Sequence, residues 1–172
     1  VATGYKGEVI AEWVNELETD WQIEAIDTGL DTQTGGRIKK CMDLHLGERM
    51  LATYGDGVGN INIKDLLAFH KSHGKLATVT AVRPVSRFGV LEMDESGAVQ
   101  SFQEKPQSAG WINAGYFVFE PKVFEYLDSN SILEREPMAN LAKDGQLVAY
   151  KHDGFFQPMD TYREMSMLNE MW

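Results

Sequence analysis

With 172 residues the chain has the length of one domain and can bury a sizeable core. At 43% hydrophobic and 24% charged residues it has the composition of a soluble globular protein, and no apolar run approaches the roughly 20 residues that span a bilayer, which argues against membrane insertion. A formal net charge of -10 without a cluster of Lys and Arg argues against a nucleic-acid surface, so any phosphate is bound locally.

Val1-Ala2-Thr3 reads as the stub of a strand, with neither Met nor a signal peptide before it. After Gly4-Tyr5-Lys6-Gly7, apolar Ile10, Trp13, Val14 and Leu17 recur at helical spacing with Glu8, Glu12 and Glu16 on other faces, predicting an amphipathic helix. Residues 21–26 alternate in part like a strand and lead into a polar, glycine-containing loop over 27–36. A short helix carrying Ile38, Cys41 and Met42 follows. Cys41 is the one cysteine, cannot form an internal disulfide, and reads as a small buried hydrophobe, so a reducing compartment, the cytoplasm, is expected. The run Met50-Leu51-Ala52-Thr53-Tyr54 is bare of charge and suits a strand covered on both faces in the middle of a sheet. It breaks on Gly55-Asp56-Gly57.

Asn62 is placed to cap a helix over 63–73, with Leu66, Leu67 and His70 on one face and Gly74 as its stop. Residues 76–82 are β-branched and uncharged and predict a buried strand. Residues 88–93 and 98–104 flank Asp94-Glu95-Ser96-Gly97, which is hairpin chemistry and makes the sheet mixed rather than purely parallel. Beyond it come a strand over 112–119, a helix opened by Pro121, a helix around Met138, Leu141 and Ala142 ending at Gly145, a strand over 147–150, and a last helix from Tyr162 after Phe155-Phe156-Gln157-Pro158. The alternation is that of a single α/β domain over 1–172.

Four polar clusters fall at strand ends or in loops. Asp56 ends a strand between two glycines, where ligands collect in open α/β sheets and a phosphate can approach the backbone; the same residues also make an ordinary tight turn. Asp160, in Gln157-Pro158-Met159-Asp160-Thr161, offers a second carboxylate for Mg2+, or an N-cap for the last helix. Thr34-Gly35-Gly36-Arg37 puts backbone N–H groups and a guanidinium at a helix start, suited to phosphate but equally to a plain helix start with a surface Arg. Glu104-Lys105-Pro106 ends a strand in an acid and a base, which serve the hydroxyls and phosphate of one ligand only if the strand is splaying there; otherwise they are a solvated ion pair. His70 and His73 lack a third ligand for a metal, and Trp111, Tyr116, Phe117 and Phe119 read as core and sheet packing.

Taken in order, Asp27-Thr28-Gly29, Thr34-Gly35-Gly36-Arg37, Thr53-Tyr54-Gly55-Asp56-Gly57-Val58, Arg87-Phe88-Gly89, Ser101-Phe102-Gln103-Glu104-Lys105-Pro106, Ile112-Asn113-Ala114-Gly115-Tyr116-Phe117-Val118 and Phe156-Gln157-Pro158-Met159-Asp160-Thr161 resemble the sugar-phosphate nucleotidylyltransferases. The resemblance is nearest to members that join CTP and glucose 1-phosphate, and it runs the length of the chain. It implies a Rossmann-like three-layer α/β/α fold with a mixed, mostly parallel central sheet. It also implies the reaction CTP plus α-D-glucose 1-phosphate giving CDP-glucose and pyrophosphate, with Mg2+ as cofactor. By the same resemblance Asp56 and Asp160 hold the metal, and Gly55 lets the nucleotide lie close. Thr32, Gly36 and Arg37 contact nucleotide, Gly89, Glu104 and Asn113 line the sugar site, and Lys105 faces the sugar phosphate. Arg37, Asp56 and Lys105 are then the catalytic residues.

The family's glycine-rich signature, Gly-Gly-x-Gly-Thr-Arg, is not found in these residues. The expectation is a partial sequence holding roughly the latter two-thirds of the enzyme, inactive alone and a homo-oligomer when full length. Ordinary turnover by the 172-residue chain would refute that expectation. A thymidylyl-, uridylyl- or guanylyltransferase for another sugar phosphate, or a non-catalytic sugar-nucleotide-binding module, are the alternatives.

Overall fold

The computed structural model describes every residue except Leu46 and Arg87, and among the described residues helices and strands alternate along the chain. In order they are β1 (Ala2–Thr3), α1 (Gly7–Glu16), β2 (Ile26–Asp27), α2 (Thr34–Leu44), β3 (Met50–Thr53), β4 (Gly57–Gly59), α3 (Ile63–His73) and β5 (Ala77–Val82). Then come β6 (Val90–Met93), β7 (Val99–Gln103), β8 (Ile112–Phe119), a 3-10 helix (Pro121–Tyr126), α4 (Glu136–Lys143), β9 (Leu147–Lys151), β10 (Phe156–Pro158) and α5 (Tyr162–Met171). Four strands form the largest sheet, in the order β3-β8-β5-β9. Parallel pairing of β1 with β2 and antiparallel pairing of β4 with β10 and of β6 with β7 complete a mixed α/β architecture.

Local chemistry explains most of the boundaries. Asn62 Oδ1 accepts from the Lys64 and Asp65 amides at 3.0 and 3.3 Å, which starts α3, and Gly74 at φ 62 ends it. Such a cap contributes about 1 kcal/mol. Gly145, at φ 64, closes α4 in the same left-handed conformation. Asp94 Oδ1 accepts from the Ser96 and Ala98 amides and folds the turn of the β6-β7 hairpin. β5 and β8 lie in the interior of the four-stranded sheet, and most of their uncharged side chains are buried, Ala77, Val118 and Phe119 completely, while Ile112 and Asn113 at the start of β8 are exposed.

Four sequence expectations are corrected. The charge-free run at Met50–Thr53 is an edge strand with β8 as its sheet neighbour, and Leu51 is 44% exposed, so lack of charge there does not mean burial on both faces. Of residues 21–26 only Ile26 enters a strand, and Trp21 is exposed. Helix α1 forms as its periodicity requires but buries none of its residues, leaving Val9 and Trp13 exposed. Trp111, too, lies at the surface, its ring flanked by Arg83 and Lys151.

The residues group into two compact units, each assembled from three separate stretches. The first comprises Val1–Ala52, His70–Thr78 and Val118–Val148. Met42, Val123, Leu133 and Leu141 are buried in it, while Cys41 is only half-buried, its thiol pKa raised by burial. One hydrogen-bonded chain links several of its polar residues. Glu120 accepts from Arg49 at 2.5 and 2.8 Å and lies 3.1 Å from His70 Nε2, so that nitrogen carries the proton. His70 Nδ1 is then an acceptor for the Thr78 hydroxyl at 2.7 Å, and the same hydroxyl oxygen accepts from His73 Nε2 at 2.8 Å. His73 Nδ1 in turn accepts from the Lys75 amide at 3.0 Å. Every ring nitrogen has a hydrogen-bond partner, which gives the pair a structural role.

The second unit comprises Thr53–Phe69, Val79–Phe117 and Ala149–Trp172, with Ile61, Leu66, Val82 and Phe117 buried. It holds the β3-β4 turn, the β6-β7 hairpin, β10 and α5.

Candidate functional site

Asp56 sits in the turn that joins β3 to β4, and the turn is held from two directions. On one, Tyr54 N–H donates to Gly115 O at 3.1 Å and the Tyr54 ring meets Phe117 edge-on at 5.5 Å. Gly115 is at φ +74 inside β8, and a Cβ there would lie 2.6 Å from the Tyr54 ring, so only glycine fits. Asn113 Oδ1 accepts from the Gly115 amide at 2.7 Å and fixes this irregular stretch of strand. The Tyr116 hydroxyl, one residue on, donates to Gly57 O at 2.9 Å.

From the other direction comes β10. It pairs with β4 in the register Gly57↔Pro158, and the ladder extends one residue further as Met159 N–H donates to Asp56 O at 2.7 Å. Residues 103 positions apart in sequence, Asp56 and Met159, are thereby adjacent, and Asp160 follows the residue bonded to Asp56. Asp160 does not cap α5. Thr161 does, accepting from the Glu164 amide while Glu164 reaches back to the Thr161 amide, so the capping reading of the Asp160 carboxylate falls away. Both aspartates are exposed, and a side chain at Gly55 would meet nothing within 4 Å. Gly55 is not at positive φ, so neither packing nor backbone conformation requires glycine there.

The ladder makes Asp56 and Asp160 backbone neighbours, and both carboxylates are at the surface, where they offer the hard oxygen donors that Mg2+ takes, one or two from protein and the rest from phosphates and water. The residues fit that ion. Among the described residues no group of three or more His, Cys, Asp and Glu is placed to hold a metal, so a metal at Asp56 and Asp160 relies on its substrate for further ligands.

A second group lies at the base of the β6-β7 hairpin. β7 ends at Gln103, and Lys105 takes a left-handed backbone at φ 47, unusual for a residue with a side chain. That twist brings its ammonium to 3.8 Å from Glu104 Oε1, so the adjacent acid and base meet instead of pointing to opposite faces of a strand. Gly89 closes the group: a Cβ on it would lie 2.7 Å from the Phe102 ring and 3.1 Å from Glu104 Oε2. Gly89, Glu104 and Lys105 are therefore one cluster. Arg87 lies outside the described residues.

Thr32, Gly36 and Arg37 belong to the first unit, and their polar groups are engaged within it. The Gly36 amide donates to Ser131 O at 3.2 Å, and a Cβ at 36 would collide with the Ser129 carbonyl. Gly35 and Gly36 are buried inside the first turn of α2 rather than exposed before it. Thr32 Oγ1 donates to Thr28 O at 2.5 Å. Arg37 donates to Thr3 O at 2.7 Å, to the Thr28 hydroxyl, and to Leu30 O at 3.3 Å. A guanidinium has more N–H donors than these bonds use, so bracing and phosphate contact are compatible.

Sequence reasoning passed over Tyr54, Gly115, Tyr116 and Met159, which hold the Asp56 turn. The available signal was a glycine inside a strand pattern, Asn113-Ala114-Gly115, which marks a bulge or a close approach.

The α/β elements with a mixed sheet are those of a nucleotidyl transferase, and residues 4–152 match that family. The chain belongs to it. Asp160 falls after the matched stretch, whereas Arg37, Asp56, Glu104 and Lys105 fall within it. The chain is 43% identical to the probable glucose-1-phosphate cytidylyltransferase of Bacillus subtilis (strain 168), over 98% of this chain and 75% of that protein. It is 40% identical to the glucose-1-phosphate cytidylyltransferase of Salmonella typhi over 100% of this chain and 76% of that one. Among solved structures, HddC from Yersinia pseudotuberculosis matches with a TM-score of 0.70 at 19% identity, over 99% of this chain and 76% of that one. That structural likeness establishes the Rossmann-like nucleotide-sugar transferase fold.

Proposed function

We propose that the protein transfers a cytidylyl group, converting CTP and α-D-glucose 1-phosphate to CDP-glucose and pyrophosphate. The observation that carries this reading is identity of 40–43% along essentially the whole chain to proteins of that name. In the reaction a phosphate oxygen of glucose 1-phosphate attacks the α-phosphorus of CTP, the new P–O bond forming in line as the bond to pyrophosphate breaks. Little covalent chemistry falls to the protein, which must align two anions that repel.

Asp56 and Asp160 hold Mg2+, which when bound neutralises charge on the nucleotide phosphates. Gly55 leaves room for the nucleotide against the strand end. Lys105 faces the sugar phosphate, with Glu104 accepting from sugar hydroxyls. The left-handed twist at Lys105 serves this directly, since it sets a cation for phosphate and an acceptor for hydroxyls 3.8 Å apart. Gly89 and Asn113 line the sugar site, and Thr32, Gly36 and Arg37 serve the nucleotide side. The reaction takes place in the cytoplasm, where the single Cys41 stays reduced, and the working enzyme is a homo-oligomer.

No described helix is long and apolar enough to cross a membrane, in keeping with substrates that are small and water-borne. The test is product formation from glucose 1-phosphate with CTP, UTP, dTTP and GTP in turn, by the protein carrying this sequence. CDP-glucose from CTP, with the other nucleotides at least about tenfold slower, is expected. Equal or better use of another nucleotide overturns the assignment.

A further inference from the structure

We infer that Tyr116 is a positioning residue whose hydroxyl sets the Asp56 turn for metal binding. The argument starts from strand register. Met159 N–H bonds Asp56 O at 2.7 Å and Asn60 N–H bonds Phe155 O at 3.1 Å, so 56/159 and 60/155 are hydrogen-bonded pairs of the β4-β10 ribbon. In an antiparallel ladder bonded and non-bonded pairs alternate, which makes Gly57↔Pro158 a non-bonded pair. The Gly57 carbonyl therefore points away from β10. The ribbon has two strands, so among the described residues no strand lies on that side of β4 to supply an N–H. The Tyr116 hydroxyl supplies the donor, at 2.9 Å.

The consequence reaches Asp56 because Gly57, whose carbonyl Tyr116 holds, directly follows it, while the Asp56 carbonyl is held from the β10 side by the Met159 amide. Gly55 and Gly57, which flank the aspartate, have no side chains to restrict the backbone. Tyr116 stands next to Gly115, whose positive φ and hydrogen bond from the Tyr54 amide anchor β8 against the same turn. The phenol thus transmits a fixed part of the sheet to the residue that carries the carboxylate. Tyr116→Phe removes that one bond and keeps the ring.

The inference rests on Asp56 being a metal ligand, and the test separates the two claims. Mn2+ binding to the protein in the presence of saturating CTP is measured by electron paramagnetic resonance for wild type, Y116F, D56N and Y126F. Y126F removes a comparable hydroxyl bond, the one Tyr126 makes to Asp144 at 2.9 Å in the other unit. Y116F is expected to weaken Mn2+ binding by about three- to tenfold with a melting temperature no lower than that of Y126F, while Y126F binds Mn2+ like wild type. Exchange of the Met159 amide, followed by NMR, is expected to be faster in Y116F than in Y126F. Wild-type Mn2+ affinity in Y116F alongside weakened binding in D56N overturns the positioning role and leaves the metal site standing. Unchanged binding in D56N overturns the metal site itself. Loss of affinity in Y116F that comes only with a much lower melting temperature makes Tyr116 a packing residue and also overturns the inference.

Discussion

The Asp56 turn and the start of helix α2 look alike as sequence, since each sets a charged residue among glycines, but the structure uses their glycines for opposite ends. At Gly35 and Gly36 an added Cβ meets the Ser131 and Ser129 backbone, and the Gly36 amide is bonded to Ser131. Those glycines admit another part of the same chain. At Gly55 an added Cβ meets nothing, and no dihedral constraint calls for glycine. The difference teaches that a glycine flanking a polar residue signals a ligand only where neither backbone conformation nor protein contact accounts for it.

The largest effect that sharpens this comparison is expected at the turn. Asp56→Asn should lower CDP-glucose formation by about 100-fold or more at saturating substrates without altering the thermal midpoint greatly, measured by product chromatography and denaturation. Next, Gly115→Ala should cost about 3 kcal/mol of stability, because it forces a side chain into a positive φ and against the Tyr54 ring 2.6 Å away. Chemical denaturation measures it directly. Arg37→Lys should cost about 1–2 kcal/mol by losing bonds to Thr3, Thr28 and Leu30, and should also raise KM for CTP, because the same guanidinium serves the nucleotide. Lost stability with KM for CTP unchanged would make Arg37 a brace alone. Gly55→Ala should leave stability within about 0.5 kcal/mol and raise KM for CTP several-fold, since its methyl occupies space open to a ligand.

The smallest effect concerns pH. Burial, with His70 and Lys75 nearby, holds His73 below the ordinary histidine value of 6.5, so the unfolded chain takes up a proton there before the folded one does. Stability from this group is fully present above pH 6.5 and falls as pH drops below it. Burial raises the Glu120 pKa, but hydrogen bonds from Arg49 and His70 outweigh it and hold the carboxyl below 4.5, giving a further loss at lower pH. Urea midpoints measured between pH 7.5 and 4 should show both, and His73→Gln should remove the upper one.

What the sequence disclosed was what local chemistry determines. Asn62, Gly74, Gly145 and the Asp94 turn mark element ends by bonds within a few residues, and β5 and β8 announce burial by lacking charge. The same lack of charge misled at β3, since being an edge strand depends on its neighbours and not on its own residues. Asp56, Asp160, Glu104 and Lys105 were legible as candidates from residue type and place in the chain. Their grouping was not, because it depends on the Met159-to-Asp56 bond across the ribbon and on a backbone twist at Lys105. Tyr116 was read as packing because an aromatic residue in a strand gives no sign of where its hydroxyl lands.

The central claim is that Asp56 and Asp160, joined through the Met159 amide, act on one bound group. A double-mutant cycle tests it most directly, with CDP-glucose formation measured for Asp56→Asn, Asp160→Asn and the pair. Residues that act as a unit are strongly non-additive, so the double variant should fall within about threefold of the worse single variant. Losses that multiply, with the double variant slower by the product of the single effects, would contradict the account.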